Sequence, residues 1–105
     1  MENKYSVVLT TTASKKDAET IASSLLEKKL AACIQVTEIK SYYTWKDKVN
    51  VDDEQVLLIK SKAEDYDEIE ECIRANHSYE VPEIIRLPIE SGFSGYLNWI
   101  TEVTK

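Results

Sequence analysis

The chain has 105 residues, 43% of them hydrophobic and 30% charged, with a formal net charge of −6. That length suits one domain, residues 1–105, with the composition of a soluble globular protein. The acidity excludes the basic patches behind non-specific nucleic-acid and anionic-membrane binding, and no apolar run approaches the ~18 residues of a membrane helix. A chain this short buries about 65% of its unfolded surface, so a partner chain would reinforce its modest core. The N-terminus runs into strand-like residues with no signal-like apolar region. Two cysteines, Cys33 and Cys72, make no disulfide framework. The expected compartment is therefore the cytoplasm, with reduced thiols.

Residues 5–12, rich in β-branched and apolar side chains, predict a strand, and the apolar cluster at its centre suggests cover on both faces. Ser14 followed by Asp17 resembles a capping box with a shorter acid. Ala18, Ile21, Ala22, Leu25, Leu26 and Leu30 then recur at helical spacing, which predicts an amphipathic helix over residues 15–30.

Residues 31–45 form the long element. Ile34 and Val36 share one phase of a two-residue period, whereas Ile39, Tyr43 and Trp45 share the other. The slip near Thr37-Glu38 predicts a β-bulge or bend. Lys46-Asp47 can turn the chain, and the return strand covers residues 48–62, with Val56 to Ile59 as its buried half. Thirteen residues at ~3.3 Å each span roughly 40 Å, more than the roughly 30–35 Å diameter of a compact chain this size. One end of this hairpin should overhang the domain, carrying Tyr42, Tyr43 and Trp45. Exposed aromatics on long strands invite another chain, so strand length alone points to a homo-oligomer.

Glu64 or Asp65 starts a second predicted helix, with Tyr66, Ile69, Cys72 and Ile73 on one face and its end near Asn76. Next comes His77-Ser78-Tyr79-Glu80-Val81-Pro82, which holds the only histidine. Pro82 fixes its own φ and pushes Val81 into extended backbone, so the helix cannot run past it. This stretch is a rigid helix-to-strand connector, and it also offers a mouth lined by His77, Tyr79 and Glu80. Residues 83–89 predict a strand bracketed by prolines, which favours a sheet edge. Ser94 can cap a last helix with Tyr96, Trp99, Ile100 and Val103 on one face. The expected fold is α+β: a ferredoxin-like βαββαβ sandwich with a long central hairpin and a C-terminal helix.

Several pieces carry a resemblance: Lys29-Leu30-Ala31-Ala32-Cys33, Tyr43-Thr44-Trp45-Lys46-Asp47-Lys48, Glu54 with Leu57, Leu58 and Lys60, His77 through Ile84, Leu87-Pro88, and Gly95-Tyr96-Leu97-Asn98-Trp99. In this order and at these separations the chain resembles the CutA family, the divalent-cation tolerance proteins. The resemblance implies a tight PII-like homotrimer built through long strands, and a link to copper and other divalent cations. It departs from the family's common pattern at Thr10, Asp47, Asn76 and Ser78, where members often carry cysteine, glycine, histidine and proline.

Copper prefers thiolate and imidazole, so the candidate metal ligands are Cys33, Cys72 and His77. Each cysteine taken alone reads better as a small buried core residue. Tyr43, Trp45, Glu54, Lys60, Tyr79 and Glu80 are expected to line a cleft between subunits. Asp52-Asp53-Glu54 lacks calcium-loop spacing. With two glycines and no phosphate-cradling loop, nothing points to an enzyme, nor to a cofactor beyond copper or another divalent cation. Three functions remain open: a trimeric cation-tolerance protein that binds metal weakly, a PII-like module that holds a small molecule in its clefts, and an assembly scaffold without a ligand.

Overall fold

The computed structural model describes residues 3–105; Met1 and Glu2, where the signal-free N-terminus is expected to start, lie outside the described residues. The elements run β1 (Tyr5–Thr12), α1 (Lys15–Glu27), β2 (Cys33–Trp45), β3 (Lys48–Lys62), α2 (Tyr66–Ala75), β4 (Ile84–Pro88) and α3 (Ser94–Val103). A 3-10 turn, Ala63–Asp65, leads into α2. The four strands form one sheet in the order β2-β3-β1-β4, with every neighbouring pair antiparallel. This is the expected α+β fold with its βαββαβ order and terminal helix. β4 pairs only with β1, at the edge that its prolines favour.

Directly opposed residues in antiparallel strands point to one face, so the register sorts the side chains. Val8 lies opposite Ile59, and Thr10 opposite Leu57 and Ile84. These residues face α1 and α2, where Ile21, Leu25, Ile69, Cys72 and Ile73 complete the core. Each fully buried Leu or Ile contributes roughly 1.5–3 kcal/mol. Val7, Leu9, Val56, Leu58, Ile85 and Leu87 take the opposite face. Within the subunit β1 is thus covered on one face, while Tyr5, Val7 and Leu9 on the other are only half-buried, so this chain alone does not make the expected double cover.

Ser14 caps α1, accepting a hydrogen bond from the Asp17 amide at 3.1 Å. The reciprocal half of a capping box is not made, because the Asp17 carboxylate accepts from Ser78 Oγ instead. α1 stops at Glu27, three residues before the predicted end. The Leu30 amide donates to the Leu25 carbonyl and the Lys29 amide to the Leu26 carbonyl, the paired bonds of a Schellman stop, with Lys29 at φ 57°. Leu30 keeps helical phase because it packs back onto the core after the helix has ended. At α3, Phe93 occupies the cap and Ser94 is already the first helical residue, so Ser94 is not the cap.

All thirteen residues of β2 pair with β3 in unbroken register, from Cys33 opposite Lys60 to Trp45 opposite Lys48. The predicted bulge at Thr37-Glu38 is therefore absent. The apolar residues change face there while the register does not: Ile34 lies on the helix-covered face and Ile39 on the other. Lys46 and Asp47 turn the chain at φ 52° and 63°, the left-handed pair that a two-residue hairpin turn requires. β1 ends with Thr12 opposite Gln55, so residues 39–45 and 48–54 pair only with each other. This arm extends roughly 20 Å past the sheet, and the molecule measures 43 × 27 × 22 Å.

Thr10 is wholly buried, and its hydroxyl lacks a hydrogen-bond partner among the described residues. An orphan buried hydroxyl costs about 1–3 kcal/mol. Thr10→Val should raise the urea midpoint at fixed protein concentration without changing the denaturant slope. A lowered midpoint would show that the hydroxyl is satisfied in the folded protein.

Candidate functional site

α2 ends where its freed carbonyls find side-chain donors. Asn76 Nδ2 donates to the Cys72 carbonyl at 2.9 Å. The chain then crosses the end of β1. His77 Nε2 lies 2.6 Å from the Thr11 carbonyl, which can only accept, so Nε2 carries the proton. Nδ1 is then bare, and it accepts the Tyr79 amide hydrogen at 3.1 Å. These bonds, with Ser78 held to Asp17, fix an irregular loop firmly enough to aim one side chain. The Tyr79 hydroxyl donates to Glu54 Oε2 at 2.5 Å, tying the loop to the root of the arm.

Loop and arm together border an open cleft of about 640 Å³. Tyr43, Trp45, Glu54, Tyr79 and Glu80, five of the six residues expected in a cleft between subunits, line this cleft of a single subunit. Tyr42, Glu83, Thr11, Ser41, Ser78 and Val81 complete the wall. Lys60 is not among them. It shares the face of Glu54, since both are even-numbered in one strand, but six residues at ~3.3 Å put it roughly 20 Å away. Its ammonium instead donates to Gln35 at 2.7 Å and lies 6.0 Å from the Tyr96 ring centre.

Tyr43 donates to Asp52, a contact the sequence reading did not anticipate. The register makes it natural: Tyr43 pairs with Asn50, and Asp52 is the next residue of β3 on that face. Burial and the hydrogen bond to Glu54 hold the Tyr79 phenol well above the ordinary tyrosine range. Tyr43 is also raised, chiefly by its hydrogen bond to Asp52. Away from the cleft, burial and then the hydrogen bond to Glu70 push Tyr66 up to about 12.

The three candidate metal ligands do not converge within the subunit. Cys72 points into the helix-side core, its sulfur 3.2 Å from Ser24 Oγ. Cys33 opposes Lys60 on the other face of the sheet, beside α3. His77 has both ring nitrogens engaged, which leaves no lone pair for a metal. Among the described residues, no three His, Cys, Asp or Glu side chains cluster as a metal site would require.

The family model for the CutA1 divalent ion tolerance protein matches residues 6–103. The divalent-cation tolerance protein CutA of Archaeoglobus fulgidus is 38% identical over 101 residues, 96% of this chain and 99% of that protein. Its solved structure, described as a periplasmic divalent cation tolerance protein, superposes with a TM-score of 0.94 over 96% of this chain and 99% of its own. The counterpart from Thermus thermophilus is 40% identical, with a TM-score of 0.92 over 96% of this chain and 99% of its own. The chain covers only 56% of the chloroplastic CutA 1 of Oryza sativa, at 40% identity.

A tyrosine whose folded pKa is raised stabilises the fold fully below its unfolded value near 10, and that stability is lost as pH climbs through the folded value. Stability should therefore fall between pH 10 and about 12 as Tyr66 demands its proton in the native state only. Tyr79 acts in the same direction. Urea midpoints measured across that range should decline steeply for the wild type and less steeply for Tyr66→Phe and Tyr79→Phe. At neutral pH, Tyr79→Phe should also lose about 1.5–3 kcal/mol, the usual value of a hydrogen bond to a charged group.

Proposed function

The chain belongs to the CutA1 divalent ion tolerance family, and from that premise we propose that it serves the response to divalent cations as a cytoplasmic, PII-like homotrimer. The carrying observation is the bare face of the sheet. Ile85 and Leu87 stand in its apolar row with Leu9, Leu58 and Val7, yet they are 45% and 47% exposed. A sheet face of that composition needs a second layer. α3 supplies one only at the end marked by Tyr5 and Lys60, where Thr101 and Tyr96 meet them. Other copies of the chain supply the rest.

A ring suits the geometry better than a two-fold pair. The arm and the bare face are different surfaces of one subunit, so an arm laid on the next subunit makes a head-to-tail contact that closes cyclically. Two free thiols suit a reducing compartment. The lone histidine is occupied by backbone groups, which favours a binding protein over an enzyme. Copper or a similar cation is bound weakly, and Cys33, on the face that assembly covers, is the soft ligand that copies can share.

A second reading has its own support. The cleft at the root of the arm has the volume of a small-molecule site. It favours a ligand-holding module over a scaffold with no ligand.

Sedimentation at micromolar concentration should give three times the 12.0 kDa subunit mass. Leu87→Asp should shift the protein toward monomer. A stable wild-type monomer would remove the assembly and the shared site with it. In copper titrations of the trimer, Cys33→Ser should weaken binding, while Cys72→Ser and His77→Ala leave it unchanged. Equal affinity for Cys33→Ser and wild type would remove Cys33 as a ligand.

A further inference from the structure

We infer that the cleft at the root of the hairpin arm is a binding site for a small organic cation, an alkylammonium or quaternary ammonium group. The inference rests on the second reading above, that the cleft holds a ligand, and adds the ligand's chemical class. Its walls hold Tyr43 and Tyr79 near Glu54, with Glu80 and Glu83 on the loop and Trp45 farther out along the arm, and no lysine, arginine or histidine among the described residues lines it. An anion would meet only repulsion there. A bare metal ion would lack a convergent donor set, since no three ligating side chains cluster among the described residues. An organic cation fits both halves of the wall. Aromatic rings attract it through their negative faces, and aromatic cages are how quaternary ammonium groups are recognised.

The sharper observation is Glu54 itself. Two carboxylate residues in the described chain are buried: Asp65 at 4% exposure and Glu54 at 8%. Asp65 has a counter-charge, the Lys105 ammonium at 3.4 Å. Glu54 has none. Its one side-chain donor among the described residues is the neutral Tyr79 hydroxyl. A buried carboxylate without a cation is costly, and a buried group left short of a partner beside an open cavity is where a ligand's charge belongs. Glu80 and Glu83 are likewise free of ion pairs among the described residues. The raised Tyr79 and Tyr43 phenols agree with this negative local field. The chain also illustrates the attraction with its own groups, since the Lys46 ammonium lies 6.0 Å from the centre of the Trp45 ring.

Calorimetric titration of the assembled full chain tests this with choline as probe and 3,3-dimethyl-1-butanol, its neutral isostere, as control. Choline should bind saturably, and the isostere at least about tenfold more weakly. Glu54→Gln should weaken choline about fivefold or more, at unchanged circular dichroism and oligomer mass. Glu80→Gln, on the exposed loop, should weaken it without touching the fold. Equal binding of the isostere would overturn the inference, because the cleft would then be merely apolar. So would the absence of saturable choline binding, as when a lysine of a neighbouring copy already fills the site. Either result could coexist with an intact trimer and retained copper affinity, which would leave the proposed function standing and remove only the organic-cation site.

Discussion

Past Gln55 the third strand has one neighbour instead of two. β1 has ended, and from Glu54 to Lys48 the ladder continues with β2 alone. An isolated two-stranded ribbon is marginal in water. This one carries Tyr42, Val49 and Val51 at 70%, 77% and 49% exposure, so it has large side chains and nothing of its own to lay them on. Its unbroken register makes the problem worse, because no bulge twists the edge away from a second chain. Two outcomes follow from this one constraint. The root of the arm must be held from the side, which the Tyr79 loop does through Glu54. The outer arm keeps apolar side chains that its own subunit leaves exposed, which is the opening the proposed assembly would fill.

The same constraint explains what period-two reasoning saw and what it misread. Ile34 and Val36 point to the face that α1 and α2 cover. Ile39, Tyr43 and Trp45 point to the other face, Ile39 half-buried there and Tyr43 and Trp45 in the cleft wall. A change of phase reports a change of face, and a bulge is only one way to produce it. The strand bounds of the hairpin, the edge position of β4 and the helical faces were all legible, since each follows from local chemistry. The end of α1 was not legible, because a lysine holds the left-handed stop position where glycine is the usual signal. Leu30, which belongs to the stop, also keeps helical phase because it packs onto the core.

Site residues divided on the same physical line. Tyr43, Trp45, Glu54, Tyr79 and Glu80 could be grouped because the first three share one face of the ribbon, from its root at Glu54 outward, and the others sit in the loop that meets it. Lys60 shares their face but not their position along the strand, and sequence periodicity reports face alone. Cys72 and His77 are five residues apart across a helix end, near enough to suggest a pair. Yet the helix turns Cys72 into the core, and the connector turns His77 toward the Thr11 carbonyl. Imidazole in this place is a backbone clamp. Its Nε2–H replaces a ladder partner for the last turn of β1, and its Nδ1 orders the amide that positions Tyr79. The connector and mouth roles foreseen for this stretch thus fall to different residues, with His77 as connector and Tyr79 as mouth.

Glu54 joins all of these strands of reasoning. It is the first residue of β3 beyond the reach of β1, the acceptor that holds the loop, and the buried charge at the floor of the cleft. In the proposed assembly a residue in that position would link docking to occupancy. Tyr43 and Trp45 belong both to the cleft wall and to the arm. A ligand that ordered those rings would lower the cost of docking the arm on another copy, and a docked arm would present the rings already ordered. Linkage would make the two effects equal in free energy, whichever occurred first. A neutral residue in place of Glu54 would keep the ladder and give up that coupling.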